Sequence, residues 1–209
     1  MVALREAVEV LETTARPKHG VRPSFSSAEV LLALMTIDEE GSVGRPSLMK
    51  VLNLREAQVK TLIKRLKELG LVSTHRLLGL SLTDRGKEVV SALKDVLSVK
   101  KDCVLIETLG WKVAAAVIRG GGSLLTKVKV SELRDLGVSE GAKGVLLLVK
   151  EGGDLVMPPK ALNETEEVKA IRRELSQKFE LNENDLLVLV EPCDKVIQAR
   201  VLLTYVKLL

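Results

Sequence analysis

Between Gly44 and Arg76 the chain sets eight cations, Arg45, Lys50, Arg55, Lys60, Lys64, Arg65, Lys67 and Arg76, against two carboxylates, Glu56 and Glu68. The stretch is net +6 while the whole chain is +4, so the remainder sums to −2. Positive charge gathered this way in an otherwise balanced chain is the electrostatic footprint of a polyanion; the competing account is a solvated lysine-rich helix face. The residue types suit DNA. Gln58 carries the amide that pairs with adenine through two hydrogen bonds, and arginine carries the fork that does so with guanine. Lys60, Lys64 and Arg65 supply charge for phosphates, which adds affinity without reading sequence. Thr61 suits a phosphate or a thymine methyl group, and Arg45 and Ser47 open a helix, where backbone N–H groups also face an anion. The expected DNA-binding set is therefore Arg45, Ser47, Arg55, Gln58, Lys60, Thr61, Lys64, Arg65 and Arg76.

Catalytic chemistry has no comparable footing. His19 and His75 are the only histidines, so no zinc-ligand spacing can be written. The segment from Gly120, GGGSLLTK, lacks the GxxxxGK[ST] spacing of a phosphate loop and reads as a flexible connector. No nucleophile–base pair stands out. The expectation is a protein that is not an enzyme and holds no cofactor and no metal. Cys103 and Cys193 lie outside any CxxC spacing and read as two small buried hydrophobes. A disulfide between them would fit a hyperthermophilic source, as would the scarcity of Gln and Asn.

The elements that position these residues follow from periodicity. Leu4, Ala7, Val8 and Leu11 mark a helix over 1–14. Ser26 with Glu29 is a capping box that opens a helix through Ile37, and Pro46 starts a short one through Leu52. A longer helix runs from Arg55 to Leu69 with Val59, Leu62 and Leu66 on its buried face, and Gly70 caps it. Short strands at Leu71–Ser73 and Leu80–Leu82 precede a helix over Thr83–Leu97. Beyond it the pattern becomes short apolar runs. Strands are expected at 103–106, 113–118, 145–149, 155–157 and 186–190, and helices at 131–136, 139–143 and 165–179. The segment 194–208 fits helix slightly better than strand. The chain's 209 residues suit two small domains, 1–97 and 98–209. Aromatics are only 2% of the chain, which argues against modules that stack RNA bases on exposed Phe or Tyr. No apolar run is long enough for a bilayer, and the charged start MVALREAVEVLE is no signal peptide, so a cytoplasmic protein without membrane partners is expected.

Helix, short helix, turn, longer helix, hairpin and helix is the winged helix-turn-helix order. "LNLREAQVKTLIKRLKELGLV" (Leu52 to Val72) and "LTDRGKEVV" (Leu82 to Val90) resemble the winged-helix regulators of the MarR and PadR kind. The departure is the wing, whose tip Arg76-Leu77-Leu78-Gly79 is short and largely apolar where the family's is long and basic. "SELRDLGVSEGAKGVLLLVKEGGDLVMP" (Ser131 to Pro158) and "LNENDLLVLVEPCDKVIQARV" (Leu181 to Val201) are similar to archaeal winged-helix proteins with a C-terminal domain of unknown function. The expected fold class is α+β: an N-terminal winged helix-turn-helix followed by a mixed α/β domain. The resemblance implies a transcriptional regulator that binds double-stranded DNA, its second domain sensing a small-molecule effector or dimerising. The alternative is a winged helix that docks onto protein. A homodimer is expected because one recognition helix covers few base pairs. Its candidate seams are Leu4, Val8 and Leu11, then Val90, Leu93 and Leu97, then Leu202 to Leu209.

Overall fold

The computed structural model describes residues 2–18, 20, 22–75, 79–160 and 164–209. The chain is mixed α/β and divides into two units, Met1–Asp95 and Val96–Leu209.

The first unit consists of α1 (Leu4–Ala15), α2 (Ser27–Glu40), α3 (Arg45–Leu52), α4 (Glu56–Glu68), the hairpin β1 (Val72–His75) and β2 (Gly79–Leu82), and α5 (Asp84–Lys94). Local chemistry sets most boundaries. The Glu29 carboxylate accepts from the Ser26 backbone N–H at 2.7 Å while the Ser26 hydroxyl accepts from Ala28, so α2 starts with two of its orphan donors satisfied. Asn53, at φ 51°, ends α3 in the left-handed region that Asn tolerates better than most residues. The hairpin pairs Val72 with Leu82 and His75 with Gly79, and Val43 bridges Leu80 from the far side. Leu11, Leu34, Leu52, Val59, Leu62, Leu66 and Leu93 are fully buried and form the core. The start of α5 is set on the end of α4: the Thr83 hydroxyl accepts from Gly86 N–H and donates to the Gly70 carbonyl, while Thr83 N–H donates to the Leu71 carbonyl.

In the second unit come β3 (Leu97–Val99), β4 (Val104–Ile106), β5 (Trp111–Ile118), a 3₁₀ turn at Gly121–Ser123, α6 (Leu124–Lys127), α7 (Val130–Ser139), β6 (Gly144–Glu151), β7 (Asp154–Val156), α8 (Glu166–Lys178), β8 (Leu186–Glu191) and α9 (Lys195–Val206). The sheet order is β3-β5-β8-β6-β7, all pairings antiparallel, with β4 on the other half of β5. On one face Val113, Ala115, Leu146, Leu148, Leu187 and Leu189 meet Ile171, Leu175 and Phe179, the last three from α8 and its end. α7 and α9 cover the other face, bringing Tyr205 fully under cover with its hydroxyl donating to the Leu133 carbonyl at 2.5 Å. Burial pushes the Tyr205 phenol pKa up, an effect only partly offset by Arg134 nearby.

The structure corrects four expectations here. The helix begun at Thr83 stops at Lys94, and Leu97 belongs to β3, paired with Ile118. Residues 139–143 form no second helix, because α7 runs through Gly137 to Ser139. The glycines at 120–122 are not a flexible connector. Gly121 and Gly122 are buried, and a Cβ on Gly122 would stand 2.3 Å from Asn184 Oδ1 and 2.8 Å from Val149 Cγ2. The turn is held by Gly122 N–H on the Asn184 carbonyl and Gly120 N–H on the Asp185 carboxylate. Finally, Cys103 and Cys193 are not buried hydrophobes: they form a disulfide between the approach to β4 and the segment leading into α9, with Cys103 exposed.

Glu174 ties α8 to the turn after β4. It accepts from the backbone N–H of Glu107 (2.8 Å) and Thr108 (3.2 Å), the Thr108 hydroxyl (2.9 Å) and the Lys178 ammonium (2.6 Å). Burial pushes its pKa up, but Lys178 and the Glu107 and Thr108 donors outweigh burial and hold it down at about 2. With the folded pKa below the ordinary 4.5, the carboxylate's stabilisation is complete above about pH 4.5 and is lost as pH falls toward 2. Glu174→Gln is expected to lower the melting temperature of the second unit at pH 7 and to change it little near pH 2. Melting curves of both proteins across that range check it.

Candidate nucleic-acid interface

With Val59, Leu62 and Leu66 at zero exposure, the 3.6-residue repeat turns Ala57, Lys60, Thr61 and Lys64 outward as a ridge along α4. Of the expected contact residues described in the structure, Arg45, Ser47, Arg55, Lys60, Thr61 and Lys64 are exposed. Arg76 lies outside the described residues.

Arg65 is the clear correction. It is 7% exposed, its Nη1 donates to the carbonyls of Thr14 (2.9 Å) and Arg16 (2.5 Å), and its guanidinium lies 5.7 Å from the Phe25 ring centroid. An arginine held this way ties the chain leaving α1 to α4, with its Nη1 already committed to two carbonyls. Two other residues have prior commitments. Gln58 Oε1 accepts from the Arg55 backbone N–H at 2.7 Å, the side-chain half of a helix cap, so reading adenine requires sharing that oxygen. Thr61 donates its hydroxyl proton to the Ala57 carbonyl at 2.9 Å, which leaves its oxygen an acceptor and its methyl group for apolar contact.

Charge is also redistributed. Lys60 pairs with Glu56 at 2.8 Å, and the Lys60 ammonium, with Arg45 adding to it, holds the Glu56 carboxyl below its usual range. Glu68 is taken by Lys18, from outside the basic stretch, at 2.5 Å. Both carboxylates of α4 are thereby compensated, and Lys64 and Lys67 stand exposed. Between α4, the start of α3 and the hairpin opens a cleft of about 340 Å³ lined by Arg45, Lys60, Lys67, Thr74 and His75 over a floor of Ile63 and Leu80. Among the described residues no carboxylate lines it.

Residues 109–208 match a family described as "Domain of unknown function (DUF4443)". The match spans β5 to α9 and leaves α4 and its cleft outside it. No curated protein matches the chain. Among solved structures, the hypothetical protein PH0730 from Pyrococcus horikoshii OT3 is similar, with 22% sequence identity and a TM-score of 0.66 over 87% of this chain and 92% of that one. At that identity the likeness is one of fold, and its coverage extends over both units.

Lys67 and His75 were not in the expected set. The signal for Lys67 was present: Lys60, Ile63 and Lys67 recur at i, i+3 and i+7 and so share one flank of the helix. His75 enters only because the hairpin pairing carries it there, a long-range fact with no local trace. Among the described residues no group of three His, Cys, Asp or Glu side chains is placed to hold a metal ion, and no helix is long and apolar enough to cross a membrane.

Proposed function

We propose that the first unit is a winged helix-turn-helix that binds double-stranded DNA, with α4 in the major groove, and that the protein regulates transcription. The order α2, α3, α4, hairpin, α5 supports the fold reading. The observation that carries the function is the cleft of Arg45, Lys60, Lys67 and His75 alongside the ridge of α4, with no carboxylate among its described lining residues and Glu56 beside it paired to Lys60. A helix seated in the major groove has a phosphate backbone beside it, and in this reading the cleft's cations meet that backbone. The reading assigns no catalysis. The second unit takes the role of sensing an effector or pairing two copies on one operator.

Of the surfaces first named for pairing, Leu4, Val8 and Leu208 are half-buried and Leu209 is exposed, while most of the others are taken up by the units' own cores. Leu11, Val90 and Leu93 are at most 1% exposed, in the core of the first unit, and Leu97, Leu202 and Leu203 are at most 2% exposed in the second. Leu93→Glu would therefore disrupt the first unit's core instead of separating two copies.

Binding of the full-length protein to random-sequence duplex, followed by filter retention across salt concentrations, tests the function. Phosphate contacts release counterions, so affinity should fall steeply as salt rises. The double variant Lys64→Ala/Lys67→Ala is expected to lower the salt slope by about two and to weaken binding at 0.1 M salt by roughly 60-fold. No retention of duplex at low salt, or an unchanged slope in the double variant, overturns the proposal and favours docking onto protein.

A further inference from the structure

α4 is flanked on both sides. Opposite the hairpin, the chain joining α1 to α2 forms a second cleft against Ala57, Gln58 and Thr61, and the cations on its far wall are Lys18 and Arg22. Among the described residues no carboxylate lines this cleft either. On the helical wheel Gln58 and Arg65 mark one side of α4 and Ile63 and Lys67 the other, with Ala57 and Lys64 between them.

The loop is placed by α4 itself. Arg65 holds the Thr14 and Arg16 carbonyls and lies over the ring of Phe25, which is 5% exposed, so both ends of the loop meet the same side chain. Lys18 reaches Glu68 near the end of the helix. Arg22 and Lys18 are exposed, and since Lys18 already faces a carboxylate, Arg22 carries the greater share of uncompensated charge.

We infer that this loop is a second phosphate-binding wall: Arg22, aided by Lys18, holds the backbone of one DNA strand while Arg45, Lys67 and His75 hold that of the other. The inference rests on the DNA-binding reading above. The physical reason is the shape of the partner. The major groove is about 12 Å wide and bounded by two phosphate backbones, so a helix lying in it has one backbone on each flank. Clefts with cationic walls on both flanks of α4 match that arrangement. The loop would thus set how deeply and at what angle α4 enters, with no base contact of its own.

The test uses the full-length protein and a duplex selected from genomic fragments by its binding. Arg22→Ala is expected to weaken binding about eightfold at 0.1 M salt and to reduce the salt slope by about one, as Lys67→Ala does from the other flank. Arg22→Glu should weaken it further. Because Arg22 is exposed, these variants should melt like the wild type. Ethylation interference with the two alanine variants should then lose phosphates on one strand for Arg22→Ala and on the opposite strand for Lys67→Ala. If the wild type binds, Lys67→Ala weakens it and Arg22→Ala leaves slope and affinity unchanged, this inference alone fails. If both variants lose phosphates on the same strand, the two-wall arrangement fails. If the wild type retains no duplex, the DNA-binding reading fails and the inference falls with it.

Discussion

Gly86→Ala is expected to destabilise the first unit by about 3 kcal/mol, although alanine is the better helix former by roughly 1 kcal/mol. Gly86 is buried in the first turn of α5, and a Cβ there would lie 2.1 Å from the carbonyl oxygen of Leu71 and 3.1 Å from its carbon. The obstacle is backbone, and that same carbonyl accepts the Thr83 N–H, so it cannot swing aside without unfastening α5 from the end of α4. The sign of the effect is what discriminates. At an exposed helical site Gly→Ala stabilises; here close approach of α5 to Leu71 forbids the methyl group. Chemical denaturation followed by far-ultraviolet circular dichroism measures it. A gain in stability would show that α5 does not dock as described. Since Leu71 leads directly into β1 and Lys67 lies one turn before it, the variant should also lose duplex binding in proportion to its unfolded fraction.

That glycine shows what was legible in the sequence and what was not. LTDRGKEVV marked where α5 starts; that Thr83 caps it and bonds Gly70, and that Gly86 lets the two meet, is seen only in the fold. Caps and breakers elsewhere were equally readable, as at Ser26 with Glu29 and at Pro46, because their chemistry is confined to a few neighbouring residues. Five of the six strands described in the second unit were found without alternation, and β3 was missed. β6 and β8 are covered on both faces, by α8 on one side and by α7 and α9 on the other, so they read as continuous apolar runs. Leu97 misled because it follows Leu93 by four residues, the helical spacing, while its pairing with Ile118 is invisible locally. The disulfide was left open for the same reason, its cysteines being 90 residues apart. At the candidate site, charge was legible and its disposition was not. The periodicity of α4 correctly turned Lys60 and Lys64 outward, but which carboxylate each lysine meets depends on how α1, its following loop and the hairpin fold back onto the helix.

Arg65 is where these two levels separate most sharply, and Arg65→Ala is expected to cost the first unit about 3 kcal/mol while leaving the salt slope of DNA binding by the folded protein unchanged. As one of a run of cations on α4 it looked like a phosphate contact. Buried, it satisfies two carbonyls at the exit of α1 and lies over the Phe25 ring, 5.7 Å from its centroid. Truncation leaves the carbonyls of Thr14 and Arg16 without that donor, each a loss of about 1 kcal/mol or more, and opens a gap against the ring. Arg65→Lys should recover only part of this, since an ammonium keeps the charge but not the fork or the flat stacking surface. The loop bearing Lys18 and Arg22 should loosen in both variants, which faster amide exchange at residues following Ala15 would report. Denaturation curves and salt titrations on the same preparations separate the two roles. Unchanged stability with a slope lower by about one would return Arg65 to the DNA surface; lower stability with an unchanged slope makes it the side chain that holds the loop to α4.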